Sequence, residues 1–188
     1  MDGTQNMIAE KKVALPRIYI AQTDRFHLRL PAMEDVEIEK VRCLDARCRF
    51  EWRYKKPERC WPVLLTQLEQ WKTMQIGTLA IECKQTSQYM GVIHLHPFQS
   101  DGSTLWELGW GLVKEAEGKG IAMEAAQTAR SWFFTKVAPT TRLYTRCKAD
   151  NTRSQNLIKR LGGTYVKIIK DDVFGDMDLW TYPTDANG

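Results

Sequence analysis

Residues 107–126 read ELGWGLVKEAEGKGIAMEAA and place the parts of an anion site in order. Alternating apolar and polar residues from Glu107 predict a half-buried strand. A short acidic turn follows, then a glycine-bearing loop, Gly118-Lys119-Gly120, which opens directly onto an alanine-rich helix. A helix start carries about four backbone N–H groups without partners inside the helix, and its dipole adds partial positive charge. Glycines let a phosphate approach that backbone closely. The stretch predicts a pocket for a phosphorylated cofactor beside a strand able to carry chemistry. An ordinary strand-to-helix turn can show the same two glycines, so the surrounding segments decide between the readings.

Two other phosphate loops are excluded. The P-loop requires Lys and then Ser or Thr after its second glycine, and Ile121 follows Gly120 here. The dinucleotide fingerprint G-x-G-x-x-G matches Gly118 and Gly120 but meets Met123 at its last position.

The chain has 188 residues, enough for one domain with a full core. Apolar and charged fractions are ordinary for a soluble globule. No run of apolar residues is long enough to span a membrane, and the start of the chain lacks a secretory pattern. Both point to a cytoplasmic protein with no membrane partner. The five cysteines (Cys43, Cys48, Cys60, Cys83, Cys147) are odd in number and form no C-x-x-C. They read as free thiols, with no metal site.

A net charge of +4 is too mild to argue for nucleic acid, which is not expected as a partner. The charge is uneven: residues 42–59 hold seven basic and three acidic side chains, interleaved with Phe50, Trp52 and Tyr54. Such a stretch can bind nucleic acid or an acidic partner. The commoner meaning is a solvated rim with some rings turned to the core.

The elements follow from pattern. Arg17 to Ile20 and Phe26 to Leu30 predict strands, the second ending at Pro31. Glu34-Asp35 starts a helix reaching about Arg42, and Pro62 stands near the start of another. Residues 43–58 carry no clear period. Residues 77–83 and 89–96 predict a hairpin turning at 85–87, and 104–112 a further strand. The helix from Gly118 to about Lys136 has Ile121, Ala125, Ala129, Trp132 and Phe133 on one stripe. Leu143 to Lys148 is a strand. Asn151 or Thr152 caps a helix that ends before Gly162-Gly163. Residues 165–169 and 177–181 close the chain as an antiparallel pair.

This order, with these residues, resembles the GNAT superfamily of acetyl-CoA-dependent N-acetyltransferases. The match is closer to the branch that acetylates ribosomal-protein N-termini. Four segments carry it. Residues 23–29, TDRFHLR, look like that branch's opening strand, and 107–112, ELGWGL, like its fourth. Residues 117–122, EGKGIA, fit the loop signature [QR]-x-x-G-x-[GA] at Gly120 and Ala122 but not at Glu117. Residues 150–154, DNTRS, look like its N-x-x-S helix start.

The resemblance implies an α+β acyltransferase fold: a mixed, mostly antiparallel twisted sheet of about seven strands with about four helices. It assigns residues 1–22 to an arm or extra edge strand, 23–182 to the acetyltransferase domain and 183–188 to a tail. It implies that acetyl-CoA is held by the backbone of Glu117, Gly118, Lys119, Gly120, Ile121 and Ala122 at the pyrophosphate. Trp110 and Leu112 would pair with the pantetheine arm as an added strand, and Asn151 would meet it too. Glu107 is implied as base, directly or through water, and Ser154 as the acid for the departing thiolate. Each has a plainer reading: a strand-edge charge for Glu107, an N-cap for Asn151, a first-turn residue for Ser154. The family's usual tyrosine is absent, because Ile158 holds its position.

The implied reaction is acetylation of a primary amine, on a protein N-terminus or a small molecule. The alternative is a GNAT-fold acyl-CoA-binding module with weak turnover, favoured by Glu117 and Ile158. The segment 43–73, with Trp52, Trp61 and Trp71, is implied as one wall of the acceptor pocket. A homodimer is compatible with the chain.

Overall fold

The computed structural model describes residues 17–51, 55–138 and 140–183. Their strands are β1 (Tyr19–Gln22), β2 (Phe26–Arg29), β3 (Leu79–Cys83), β4 (Tyr89–Ser100), β5 (Ser103–Leu112), β6 (Leu143–Cys147), β7 (Thr164–Asp171) and β8 (Gly175–Thr181). The helices are α1 (Asp35–Arg42), α2 (Cys60–Met74), α3 (Ile121–Lys136) and α4 (Thr152–Arg160). One sheet of eight strands runs β1-β2-β3-β4-β5-β6-β8-β7. Only β5 and β6 are parallel neighbours. The strand beyond the expected seven is β1, which pairs antiparallel with β2 at the sheet edge. Among the described residues no helix is long and apolar enough to cross a membrane.

The α3 stripe forms as its period demands. Ile121, Ala125, Ala129 and Phe133 are buried against Leu28, Ile81, Ile93 and Leu108 of the sheet. Alanines let the helix lie close to the strands, and Phe133 packs on Trp106 of β5 at 5.6 Å between rings. That contact turns the even-numbered face of β5 toward α3. Glu107, Gly109 and Gly111 therefore share the opposite face.

Two places on the sheet position the site. The first is the hairpin joining β4 to β5 through Asp101-Gly102, both with positive φ (49° and 72°). This two-residue turn matches the twist of the strands and fixes their register, so that His94 opposes Gly109 and His96 opposes Glu107. The second is the β5–β6 seam. These strands pair only at Trp106–Leu143 and Glu107–Tyr144, although β5 continues to Leu112 and β6 to Cys147. Beyond Glu107 they part. At the fork the Thr145 hydroxyl donates to the Leu108 carbonyl at 2.5 Å in place of a ladder bond.

The segment without a clear period folds around charge. Arg42, 5 % exposed, is held by Glu39 (2.7 Å) and by Glu51 (2.6 Å). Tyr89 donates to the same Glu39 at 2.6 Å. This network fastens the turn at Ala46–Cys48 and the residues up to Glu51 over Gly111. Cys43 and Cys60 pack with Val36 and Leu64 in a small apolar cluster, and all five cysteines are free thiols. Residues 1–16, 52–54 and 184–188, including most of the arm and the tail, lie outside the described residues.

Candidate active site

The loop after β5 ends on Gly118 (φ 72°) and Gly120 (φ 74°), a left-handed backbone that disfavours any side chain. Gly120 caps α3 and has no side chain to satisfy the first amides of the helix. Those amides open onto a cavity of about 1260 Å³, lined by Gly118, Gly120, Ile121 and Ala122 at this end. Lys119 does not join them. Its carbonyl accepts from both terminal nitrogens of Arg25 (3.2 and 3.3 Å), and the residue lines a separate cavity. Because the peptide is trans, the Gly120 N–H points away from that tethered carbonyl. Arg25 is in turn held by Glu124 of α3 at 2.7 Å. Replacing Arg25 by alanine is expected to weaken acetyl-CoA binding about tenfold, about 1.4 kcal/mol, measurable by calorimetry.

Glu117 stands where a neutral or basic residue was expected. Its carboxylate is engaged by Arg153 of α4 (2.7 Å) and Arg47 of the 46–48 turn (3.4 Å). The acid is therefore neutralised by its neighbours.

Glu107 sits at the fork, 8 % exposed. Arg146 of β6 donates to both of its oxygens (3.1 and 2.7 Å), and His96 Nε2 lies 3.0 Å from Oε2. Burial alone would raise its pKa, but the hydrogen bonds from His96 and Arg146 and the guanidinium charge outweigh it and hold the value at about 2. A carboxylate depressed in the folded state stabilises the fold above its unfolded pKa and loses that contribution as pH falls toward the folded one. The stability advantage of the wild type over Glu107→Gln is expected to shrink by about 2 kcal/mol between about pH 5 and about pH 3. Urea unfolding of both proteins across that range measures it.

Asn151 caps α4 by accepting from the Ser154 N–H at 3.3 Å, and both residues line the cavity. Ile158 is fully buried in the core, so no hydroxyl reaches the cavity from that position. Trp110 and Leu112 also line it. One cavity thus gathers every expected site residue except Lys119.

The model of the GNAT acetyltransferase domain matches residues 25–164. The chain belongs to the GNAT family. It is an acyltransferase, and the cofactor of such enzymes is acetyl-CoA. Among solved structures, an acetyltransferase from Agrobacterium tumefaciens str. C58 is 25% identical, with TM-score 0.75 over 90% of this chain and 95% of that one. The ribosomal L7/L12 alpha-N-protein acetyltransferase RimL, in complex with coenzyme A, is 14% identical with TM-score 0.70, covering 92% and 100%. The microcin C7 self-immunity acetyltransferase MccE, in complex with acetyl-CoA and AMP, is 16% identical with TM-score 0.70, covering 85% and 92%. No curated protein sequence matches significantly.

This GNAT chain fits its cofactor on its own geometry. The amides of α3 lack a capping side chain, the glycines leave room before them, and β5 has a free edge beyond the fork. Residues from the 43–73 segment do line the cavity, but Trp61 and Trp71 are not among them. Trp71 is core and donates to the Thr78 carbonyl at 2.7 Å, Trp61 is 40 % exposed, and Trp52 lies outside the described residues. Phe50, Val63, Gln67 and Gln70 line the cavity instead.

The residue pattern did not single out His94, His96 or Arg146, which also line the cavity. The Asp101-Gly102 dipeptide was the available signal for the histidines. A two-residue turn there pairs residue 100 with 103, and counting back pairs 96 with 107.

Proposed function

We propose that this GNAT enzyme acetylates a primary amine, on a peptide or protein N-terminus or on a small molecule, by direct attack on the thioester. The observation that carries the reading is the fork: Glu107 stands where β5 and β6 part, in the same cavity as the uncapped amides of α3. When bound, acetyl-CoA supplies a thioester carbon at which the C–N bond forms while the C–S bond breaks, its electron pair leaving on sulfur.

The chain's own residues have these roles. The amides of Gly118 and of residues 120 to 122 hold the pyrophosphate with the α3 dipole behind them. The free edge of β5 at Trp110 and Leu112 receives the pantetheine arm, with Asn151 opposite. A backbone N–H of β5 stabilises the developing oxyanion. Glu107 belongs to the proton-accepting group at the thioester, and Ser154 returns a proton to the departing sulfur. An α-amine, with pKa about 8, is partly neutral at physiological pH, so its base need not be strong.

The pairing of Glu117 with Arg153 and Arg47 offsets the charge that would repel a diphosphate and so supports acetyl-CoA binding, while Glu107 and Ser154 in the same cavity favour turnover over a binding module. Release of thiol from acetyl-CoA, followed across a panel of peptides and small amines, tests this. Acceleration by an amine, with the acetylated product found by mass spectrometry, is the expected result. A rise in melting temperature with acetyl-CoA, but no amine that accelerates release, would leave the binding module.

A further inference from the structure

We propose that His96, through its Nδ1, takes the proton from the acceptor amine, and that Glu107 positions His96. This rests on the acetyl-transfer reading above. The chemistry of the pair fixes the tautomer. An ionised carboxylate offers only acceptors. Glu107 is ionised, being clamped by Arg146 at 2.7 Å, so His96 Nε2, 3.0 Å away, must carry the hydrogen. The neutral ring then has its lone pair on Nδ1.

Among the described residues no hydrogen bond engages Nδ1, and the ring, 36 % exposed, faces the cavity at the fork. Glu107 is poorly suited to take the proton itself. Its oxygens already accept three hydrogen bonds, two from Arg146 and one from His96.

The charged and titratable groups around His96 are few. Glu107 faces it from β5, and Arg146 from β6 sits behind Glu107, also bound to Asp171 of β7 at 2.6 Å. His94, two residues along β4, lies 6.0 Å away between rings and is turned to the Thr78 hydroxyl at 3.0 Å. Protonated His96 would face Glu107 directly, with the carboxylate between it and Arg146.

The protons balance. An acceptor arriving as an ammonium gives one proton to Nδ1, and its freed lone pair forms the C–N bond. A second proton leaves that nitrogen as the amide forms and passes to the departing sulfur through Ser154. His96 then returns the first proton to water, so one proton is released per turnover.

Two measurements test the proposal on the full chain. The first needs no acceptor: nitrogen-15 NMR of the imidazoles, expected to show His96 as the Nε2–H tautomer, and to lose that preference in Glu107→Gln. The second uses His96→Gln, whose amide keeps a donor toward Glu107 but offers no base. With a peptide amine that the wild type acetylates, kcat is expected to fall about 100-fold. The melting-temperature rise given by acetyl-CoA should be unchanged, and added imidazole should restore rate to His96→Ala.

An Nδ1–H tautomer would overturn the proposal, as would His96→Gln activity within about threefold of wild type. So would a lost acetyl-CoA shift, because His96 would then serve binding. A wild type that acetylates no amine would overturn the acetyl-transfer reading and the proton role together, leaving the Nε2–H pair as structure alone. An active wild type with an indifferent His96 variant overturns only the latter.

Discussion

Replacing Arg146 by methionine is expected to lower the melting temperature by about 10 °C and activity by about 100-fold. The guanidinium is 19% exposed and joins Glu107 (11%) to Asp171 (14%), with the Phe98 ring 4.3 Å from its carbon. Removing one partner of a buried ion pair costs about 3–5 kcal/mol, because the remaining charge keeps its desolvation cost and loses its compensation. Here two carboxylates lose the same cation. Methionine preserves much of the contact with Phe98, which isolates the loss of charge. Glu107, less well compensated, would bind protons more readily, and the orientation it gives to the cavity would loosen. Lysine at the same position keeps the charge but not the fork-shaped donor set, so it should fall between wild type and methionine. Thermal unfolding and steady-state kinetics read both effects. A methionine variant with wild-type melting temperature would sink the argument.

The second large effect is expected at Gly91. Its φ is 137°, and a Cβ placed there would lie 2.1 Å from the Gly111 carbonyl oxygen and 2.7 Å from the Leu112 Cα. The backbone region alone costs about 1–3 kcal/mol for a residue with a side chain. The overlap is with main chain, which cannot rotate aside, so β4 or β5 must move. Gly91→Ala should therefore lose about 4 kcal/mol or more of stability. The displaced segment is the free edge of β5 that the pantetheine arm is proposed to use. Acetyl-CoA should accordingly raise the melting temperature of Gly91→Ala less than that of the wild type. An equal rise in both would show that the edge had not moved.

Much of the fold is legible in local pattern. Period two marks Phe26–Arg29, and the period of α3 marks the side that meets the sheet. The loop glycines and the Asn151 cap are also local, since each is set by the backbone within a few residues. What escapes local reading depends on partners brought from elsewhere. Arg146 meets Glu107 only because β6 returns parallel to β5 after a helix. Residues 43–51 have no period because ion pairs to Glu39 and Glu51 organise them rather than an apolar face.

Pro97 would ordinarily argue against a central strand. It is tolerated in β4 because β3 pairs only as far as Ile93. The Leu95 N–H points to that side, toward the Gly77 carbonyl, and the nitrogen of Pro97 points the same way past the end of β3. His96 is the instructive omission. Its role depends on cross-strand register, which the Asp101-Gly102 turn encodes and which composition and spacing along one strand do not reveal.

The acid at Glu117 bears on how long a nucleotide stays. Arg47 and Arg153 spend part of their charge on that carboxylate, and Asp45 holds Arg47 as well. At the proposed pyrophosphate site the grip on a diphosphate would then fall mainly to backbone dipoles, which are fixed in place and modest in strength. An enzyme must let go of the spent carrier once per turnover, and release often limits the rate. A loop that caged its anion with extra cations would hold product as firmly as substrate. In the proposed reaction, arginines kept partly occupied by Glu117 and Asp45 would favour release of the spent carrier over a longer hold on it.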